Sequence, residues 1–302
     1  MTASSFLRRA LPPLAMAALL AAGPPLRAQM PEMPDPAAGA GSVLELGYDV
    51  YLGGLNVFAF DVAFLRDGEA YVIRGGGESR GLIRVFWRWA ADLAARGTVG
   101  EAQVDAQIYD IATVRRGEPK SLQLSFDGPG AYSIARDPPD NDYRRSKREP
   151  PASLPADTVD PLSVALVVSE AVGRGRGCAL SVPVFDGDRR YDLVFTELGR
   201  ESLEPMSYTV FAGEALSCRF EMKRLSGFRK PRKYVRYWDE DGLEPPRVWV
   251  ARLAPGLPPV PVRLAGDLNM GGLRIYLVRA EHDGRPIYPR PLRPPLQQAR
   301  NN

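Results

Sequence analysis

The chain has 302 residues, with 39 Lys and Arg against 36 Asp and Glu and a single His, a formal charge of +3. Three of the arginines lie within residues 1–28, which hold no acid, so the rest of the chain carries 36 of each sign and no net charge. That balance excludes a generally basic nucleic-acid binder. One His and two Cys leave too few ligands for a zinc centre, and 29 Gly with 29 Pro divide the chain into segments too short for long helices.

The first residues read as a secretory signal peptide over 1–28. The basic pair Arg8-Arg9 precedes an apolar, Ala/Leu-rich run from Ala10 to Ala22, and Ala28 is a small residue at a polar boundary. The run falls short of the roughly 20 residues that cross a bilayer and contains Pro12 and Pro13. No transmembrane anchor is therefore expected after cleavage, and the expected compartment is the periplasm. The residues after the arginine pair favour general secretion over twin-arginine export, and no cysteine near the cleavage site suggests a lipoprotein.

A flexible leader is expected over 29–41, followed by one β-rich domain over 42–285. Leu44, Leu46, Tyr48, Val50 and Leu52 alternate with other residues, and a second alternating run spans Leu55 to Phe64 beyond Gly53-Gly54. Period-two alternation across a Gly-Gly pair predicts a β-hairpin. Arg66-Asp67-Gly68-Glu69 is the next turn, leading to a strand over Ala70–Arg74, and Gly75-Gly76-Gly77 reads as a flexible turn because no phosphate-binding lysine follows it. Leu82, Val85, Phe86 and Trp89 fall at i, i+3, i+4 and i+7, one face of a short helix. The adjoining Phe86-Trp87-Arg88-Trp89 packs into a core or rims an apolar cavity.

Strands are expected over 108–114 and 120–126 around Arg115-Arg116-Gly117-Glu118-Pro119, and over 131–135 after Asp127-Gly128-Pro129-Gly130. Residues 136–157 are charged and Pro-rich and read as an exposed loop; within them Tyr143-Arg144-Arg145-Ser146-Lys147-Arg148 is a solvated basic run. Asp160-Pro161-Leu162-Ser163 opens a helix, with Asp160 capping free N–H groups and Pro161 at the first helical position; Gly173 stops it. Strands then follow over 179–184, 189–196, 208–211, 215–225, 233–238, 247–253, 259–264 and 273–280, and the tail 286–302 is expected to be disordered. Many short strands, Gly-rich turns and one or two short helices predict a mainly β fold: a curved antiparallel sheet or open β-barrel-like fold wrapped on a helix, with a two-sheet sandwich as the alternative.

Two cysteines in an exported chain, Cys178 and Cys218, are most simply a structural disulfide. No catalytic residue is identified. His282 is the one histidine and sits at a strand end, and no serine lies in a Gly-x-Ser-x-Gly setting. Asp186-Gly187-Asp188 and Asp239-Glu240-Asp241-Gly242 read as turns rather than calcium sites, since neither has EF-hand spacing. The basic run Arg229-Lys230-Pro231-Arg232-Lys233-Tyr234 reads as solvated. No metal and no cofactor are expected.

Several stretches together resemble a family of exported bacterial proteins, the domain of unknown function 3108. They are Asp160-Pro161-Leu162-Ser163; the string Val184-Phe185-Asp186-Gly187-Asp188-Arg189-Arg190-Tyr191-Asp192-Leu193; Cys218; and Ser226-Gly227-Phe228. The Tyr48 strand with Gly53-Gly54 is similar to the way such domains begin, and the resemblance runs from about 44 to 280. Asp188 departs from the basic residue expected there. The resemblance implies a periplasmic β-rich domain without established activity, so it carries over no catalytic residue; by looser analogy it implies open-barrel envelope proteins that handle lipids or lipoproteins. In the matching string Tyr191, Leu193 and Phe195 share one strand face, while Arg190 and Asp192 share the other.

The expected function is non-catalytic binding of an envelope lipid, another amphipathic ligand or a periplasmic protein partner. The candidate ligand-binding residues are Phe86, Trp87, Trp89, Arg190 and Tyr191. The alternatives are a carboxylate-dependent hydrolase acting on envelope polymers and a structural scaffold.

Overall fold

A computed structural model describes residues 41–101, 103–139, 151–228, 244–268 and 271–288. The first part of the chain forms β1 (Ser42–Leu52), β2 (Leu55–Asp67), β3 (Ala70–Ser79), helix α1 (Ile83–Phe86), β4 (Trp89–Val99), β5 (Val104–Arg115), β6 (Glu118–Phe126) and β7 (Tyr132–Asp137). Helix α2 (Ser163–Gly173) follows. The second part forms β8 (Ser181–Phe185), β9 (Arg190–Leu203), β10 (Gly213–Ser226), β11 (Arg247–Arg252), β12 (Pro259–Leu268), β13 (Gly271–His282) and β14 (Arg285–Pro286).

All these strands belong to one antiparallel, 14-stranded sheet in the order β7-β6-β5-β4-β3-β2-β1-β13-β12-β11-β10-β9-β8, with β14 on β13. The fold is thus two meanders joined at the β1–β13 pair, where Leu44 faces His282 and Leu52 faces Leu273. Alternating sequence makes the strands, and two-residue turns join β1 to β2, β2 to β3 and β5 to β6. Gly53 and Gly54 at φ 55° and 84° supply the left-handed backbone that a tight β1–β2 turn requires.

Register shifts bend the sheet. They occur between β1 and β2 at Val50/Tyr51, between β4 and β5 at Arg96/Gly97, between β9 and β10 at Ser217/Cys218, and between β11 and β12 at Trp249/Val250. Each adds local twist and curvature. The two ends of the sheet consequently approach one another. Tyr132 on β7 packs edge-on against Phe185 on β8 with ring centroids 4.8 Å apart, and Arg136 on β7 donates to the Gly187 carbonyl at 2.7 Å. The chain before α2 straps the remaining gap. Leu154 N–H bonds Gly130 O, Val159 N–H bonds Pro183 O, and Phe185 N–H bonds Val159 O. The result is an open barrel closed by side chains and a strap instead of a ladder between β7 and β8.

Helix α2 lies inside the curve and touches β12, β5 and β8, strands from opposite parts of the sheet. Its Val164, Leu166 and Val168 join a core with Tyr71, Leu124, Phe185 and Val250. A second cluster gathers Leu44, Trp249, Val262 and Leu277 with the packed segment around Phe211. Cys178 and Cys218 form a disulfide, with Cα atoms 6.3 Å apart, that ties the chain after α2 to β10.

Several expectations change in three dimensions. Gly75-Gly76-Gly77 is the middle of β3, not a turn. The glycines make room, since a Cβ on Gly77 would lie 2.4 Å from the Phe60 ring. The predicted helical face over 82–89 shortens to one turn, because Trp89 begins β4, and Leu82, Val85 and Phe86 face solvent. Strand β4 itself was not expected; its Ala90, Ala91, Ala94 and Ala95 supply no β-branched or aromatic alternation to mark it. Residues 208–211 are not a strand; Val210 N–H instead bonds Leu277 O. The exposed-loop reading of 136–157 fails at both described ends, as Arg136 and Asp137 belong to β7 and Leu154 is buried. Ile287 and Tyr288, expected in a disordered tail, pack on the second cluster, with Tyr288 Oη donating to Leu253 O at 2.9 Å. The signal peptide, nearly all of the leader, both basic runs, the 233–238 strand and the Asp239–Gly242 turn lie outside the described residues.

Candidate functional site

A cavity of about 460 Å³ opens between the sheet and α2. Strand alternation decides which side chains reach it. On β2, Phe60, Val62 and Phe64 point inward; on β9, Tyr191, Leu193 and Phe195 do so; Phe220 stands beside Phe195 on β10. Leu93, Val248 and Ile275 extend the wall from β4, β11 and β13, and Leu162, Ala165 and Leu166 form its helical side. Ala165 is exposed although it lines the cavity, so its methyl group faces open space within the barrel mouth.

Most of the few polar residues of the wall are engaged, although Arg263 Nε is buried without a hydrogen-bond partner among the described residues. Asp61 lies between two inward residues, so its carboxylate is on the other sheet face, where Arg279 Nη2 donates to it at 2.9 Å. The guanidinium of Arg263 stacks over the rings of Trp249 and Tyr276, at 4.9 and 5.6 Å from their centroids. Tyr48 Oη donates to Pro261 O at 2.8 Å, and Ser169 Oγ donates to Pro259 O. Burial pushes the Tyr48 and Tyr191 hydroxyls above their ordinary pKa, so both stay neutral. Among the described residues the cavity is therefore lined mostly by apolar groups, with Asp61 and Arg263 its charged members. Its volume falls within the roughly 300–1,000 Å³ of small-molecule sites.

The helix that forms one wall is anchored by a buried polar chain. Asp160 Oδ1 accepts from Leu162 N–H and Ser163 N–H at 2.9 and 3.0 Å, the N-capping read from the sequence. Ser163 Oγ donates to Asp160 Oδ2 at 2.5 Å, and Tyr71 Oη lies 2.8 Å from Ser163 Oγ, to which it donates. Burial raises the Asp160 carboxyl to about 6 despite these hydrogen bonds. Asp160 and Ser163 are both fully buried, so the group is a structural cap beyond reach of a substrate.

A larger hollow of about 910 Å³ lies over the opposite face of the same strands, lined by charged residues. Arg74, Arg80, Arg84, Arg88, Arg116 and Arg279 meet Glu45, Asp61, Glu78 and Asp92 there. The two hollows share Asp61, Val62, Gly75 and Gly76. Among the described residues, no cluster of His, Cys, Asp and Glu could hold a metal ion. Among them, too, no helix is long and apolar enough to cross a membrane.

The five candidate ligand residues are dispersed. Tyr191 is in the cavity wall. Arg190, next to it, points to the other face and is buried, pairing with Asp192 and donating to Tyr191 O, each at 2.6 Å. Trp89 is half-buried on β4, edge-on to Phe58 at 5.6 Å, and lines the charged hollow. Phe86 and Trp87 are exposed on and after α1. The wall residues Phe60, Leu93, Leu162, Phe220 and Ile275 were not singled out from the sequence. Alternation marks their strands but does not say which strands close on one space. The Asp186-Gly187-Asp188 turn is confirmed as a turn, with Asp186 Oδ1 accepting from Asp188 and Arg189 N–H at 2.9 and 2.7 Å.

The family model described as Protein of unknown function (DUF3108) matches residues 47–278, and the chain belongs to that family. No curated protein matches the chain. A solved structure, the beta-barrel-like protein of domain of unknown function DUF1849 from Brucella abortus, is similar at 10% identity and a TM-score of 0.41. The match covers 80% of this chain and 97% of that one, and it carries no inference about function.

Proposed function

We propose that this member of the DUF3108 family is an exported envelope protein that holds the apolar chain of an amphipathic ligand between its sheet and α2, as a carrier or sensor without catalysis. The cavity of about 460 Å³ carries this reading, since apolar side chains from both meanders and the helix converge on it while Tyr48, Asp61 and Ser169 are hydrogen-bonded elsewhere. An acyl chain seated there would take its apolar surface and that of the walls out of water. The signal-like start and the buried disulfide support an oxidising compartment, the periplasm.

The charged hollow is the place a carboxylate hydrolase would use, but Asp61 there is engaged by Arg279, and arginines outnumber acids in its lining. The binding reading is tested by native mass spectrometry of protein purified from the periplasm, followed by lipid extraction. Co-purifying acyl chains are expected. The comparison protein is Ala165→Trp, which fills the cavity from the helix side. If wild type and Ala165→Trp carry the same extractable material, or neither carries any and neither takes up fatty acid on addition, the reading fails.

A further inference from the structure

Among the described residues, 80–88 gather most of the strongly exposed large apolar side chains. Leu82, Val85 and Phe86 are 76%, 77% and 80% exposed, and Trp87 is 45% exposed. The turn is built and held. Arg84 N–H bonds Gly81 O, Val85 N–H bonds Leu82 O, and Trp87 N–H bonds Ile83 O. The Arg115 guanidinium sits 5.1 Å from the Trp87 ring centroid and fixes its position. Arg80 N–H bonds Val57 O, which brings the β1–β2 hairpin tip alongside, and Leu55 at that tip is 60% exposed. Four large apolar side chains on one ordered turn, with a fifth near them, make a contiguous patch of the kind that marks an interaction surface.

Its charge identifies the partner. Between Glu78 and Asp92 the chain holds Arg80, Arg84 and Arg88 and no acid; Arg80 pairs with Glu78 at 4.0 Å, and Arg84 and Arg88 stand at the exposed rim of the charged hollow. Arg115 and Arg116 join them, because Arg116 N–H bonds Arg88 O. An apolar tip with an aromatic ring at its edge and a collar of arginines matches a bilayer surface, with apolar side chains entering the interface and cations meeting headgroup phosphates. A second copy of the chain fits badly, since a two-fold contact through this patch would set arginine against arginine.

We propose that the Leu82–Arg88 projection docks this protein onto bilayers bearing anionic phospholipid. The inference does not depend on the cavity: filling the cavity with Ala165→Trp leaves docking intact, and removing the projection leaves ligand uptake intact.

The test is co-sedimentation of the soluble protein, purified from cells producing the full chain. The vesicles are phosphatidylcholine alone or phosphatidylcholine with phosphatidylglycerol, at low and high salt. Binding to the anionic vesicles is expected, weakened by salt, with a blue shift of tryptophan emission that is lost in Trp87→Phe. Val85→Ser/Phe86→Ser and Arg84→Glu/Arg88→Glu should each weaken binding by roughly tenfold or more. All of these side chains are exposed, so the melting temperature should not change, and thermal melts of each variant verify it. The proposal is overturned if anionic vesicles do not bind the protein or if binding is unchanged in both double variants. It is equally overturned if sedimentation shows that the patch is covered by a second copy in a stable dimer.

Discussion

Replacing Asp160 by Asn should make the protein more stable at neutral pH, and the advantage should shrink on acidification. Asp160 is buried at the start of α2, and burial raises its carboxyl to about 6 from an ordinary 3.8. In the folded state it therefore binds a proton more readily than in the unfolded state. For an acid shifted in this direction, stability rises as pH falls through 6 and stops rising below 3.8. The full difference is about 3 kcal/mol at high pH, and the wild type recovers about 1.4 kcal/mol of it between pH 7.5 and pH 5. Asparagine keeps the Oδ1 acceptor for Leu162 and Ser163 N–H, and its amide can donate to Ser163 Oγ. Any change in those hydrogen bonds does not depend on pH, so it cancels when the difference between the two proteins is followed across pH. Urea unfolding of both proteins at pH 7.5, 6.5, 5.5 and 5.0 measures that difference. A constant gap across the series would refute the reasoning, as would a gap that widens on acidification.

Cys218→Ser should lower the melting temperature of the oxidised protein by several degrees. The bridge closes a 40-residue separation, worth at most about 4 kcal/mol in the chain-entropy model, and the difference should vanish when both proteins are melted in reductant. Ala165→Trp should abolish uptake of a fluorescent fatty acid while changing the melting temperature little; uptake equal to wild type would place the ligand elsewhere. Phe185→Ala should cost about 3–5 kcal/mol in chemical denaturation, because Phe185 is fully buried at the seam where β8 meets Tyr132 of β7. A loss below 1 kcal/mol would mean that the seam is not part of the cooperative core.

Local physics was legible in the amino-acid sequence. Alternation over Leu44–Leu52 and Leu55–Phe64 defines β1 and β2, and Gly53-Gly54 defines the turn between them, because period and turn geometry involve only neighbouring residues. Asp160 before Pro161 marks the start of α2 for the same reason. Two cysteines leave one intramolecular pairing. Tyr191, Leu193 and Phe195 share one strand face, as their alternation predicts, and all three line the cavity. Local signals fail where a residue's role depends on what lies across from it. Gly75-Gly76-Gly77 resembles a turn until the Phe60 ring of the next strand is seen over it. The alanines of β4 suit a strand only because β3 and β5 enclose them. Leu82, Val85 and Phe86 have the spacing of a buried helical face, yet among the described residues they stay 76%, 77% and 80% exposed.

The cavity belongs entirely to the tertiary structure. Phe60, Leu93, Tyr191, Ile275 and Ala165 come from segments far apart in the chain. They face one space because register shifts curl a single sheet until its end strands meet around a helix. The sequence by itself determined most of the strands, the helix cap, the disulfide pair and the family. Curvature, a sum of small twists over many strand pairs, decided what those strands enclose and which apolar residues were left facing outward.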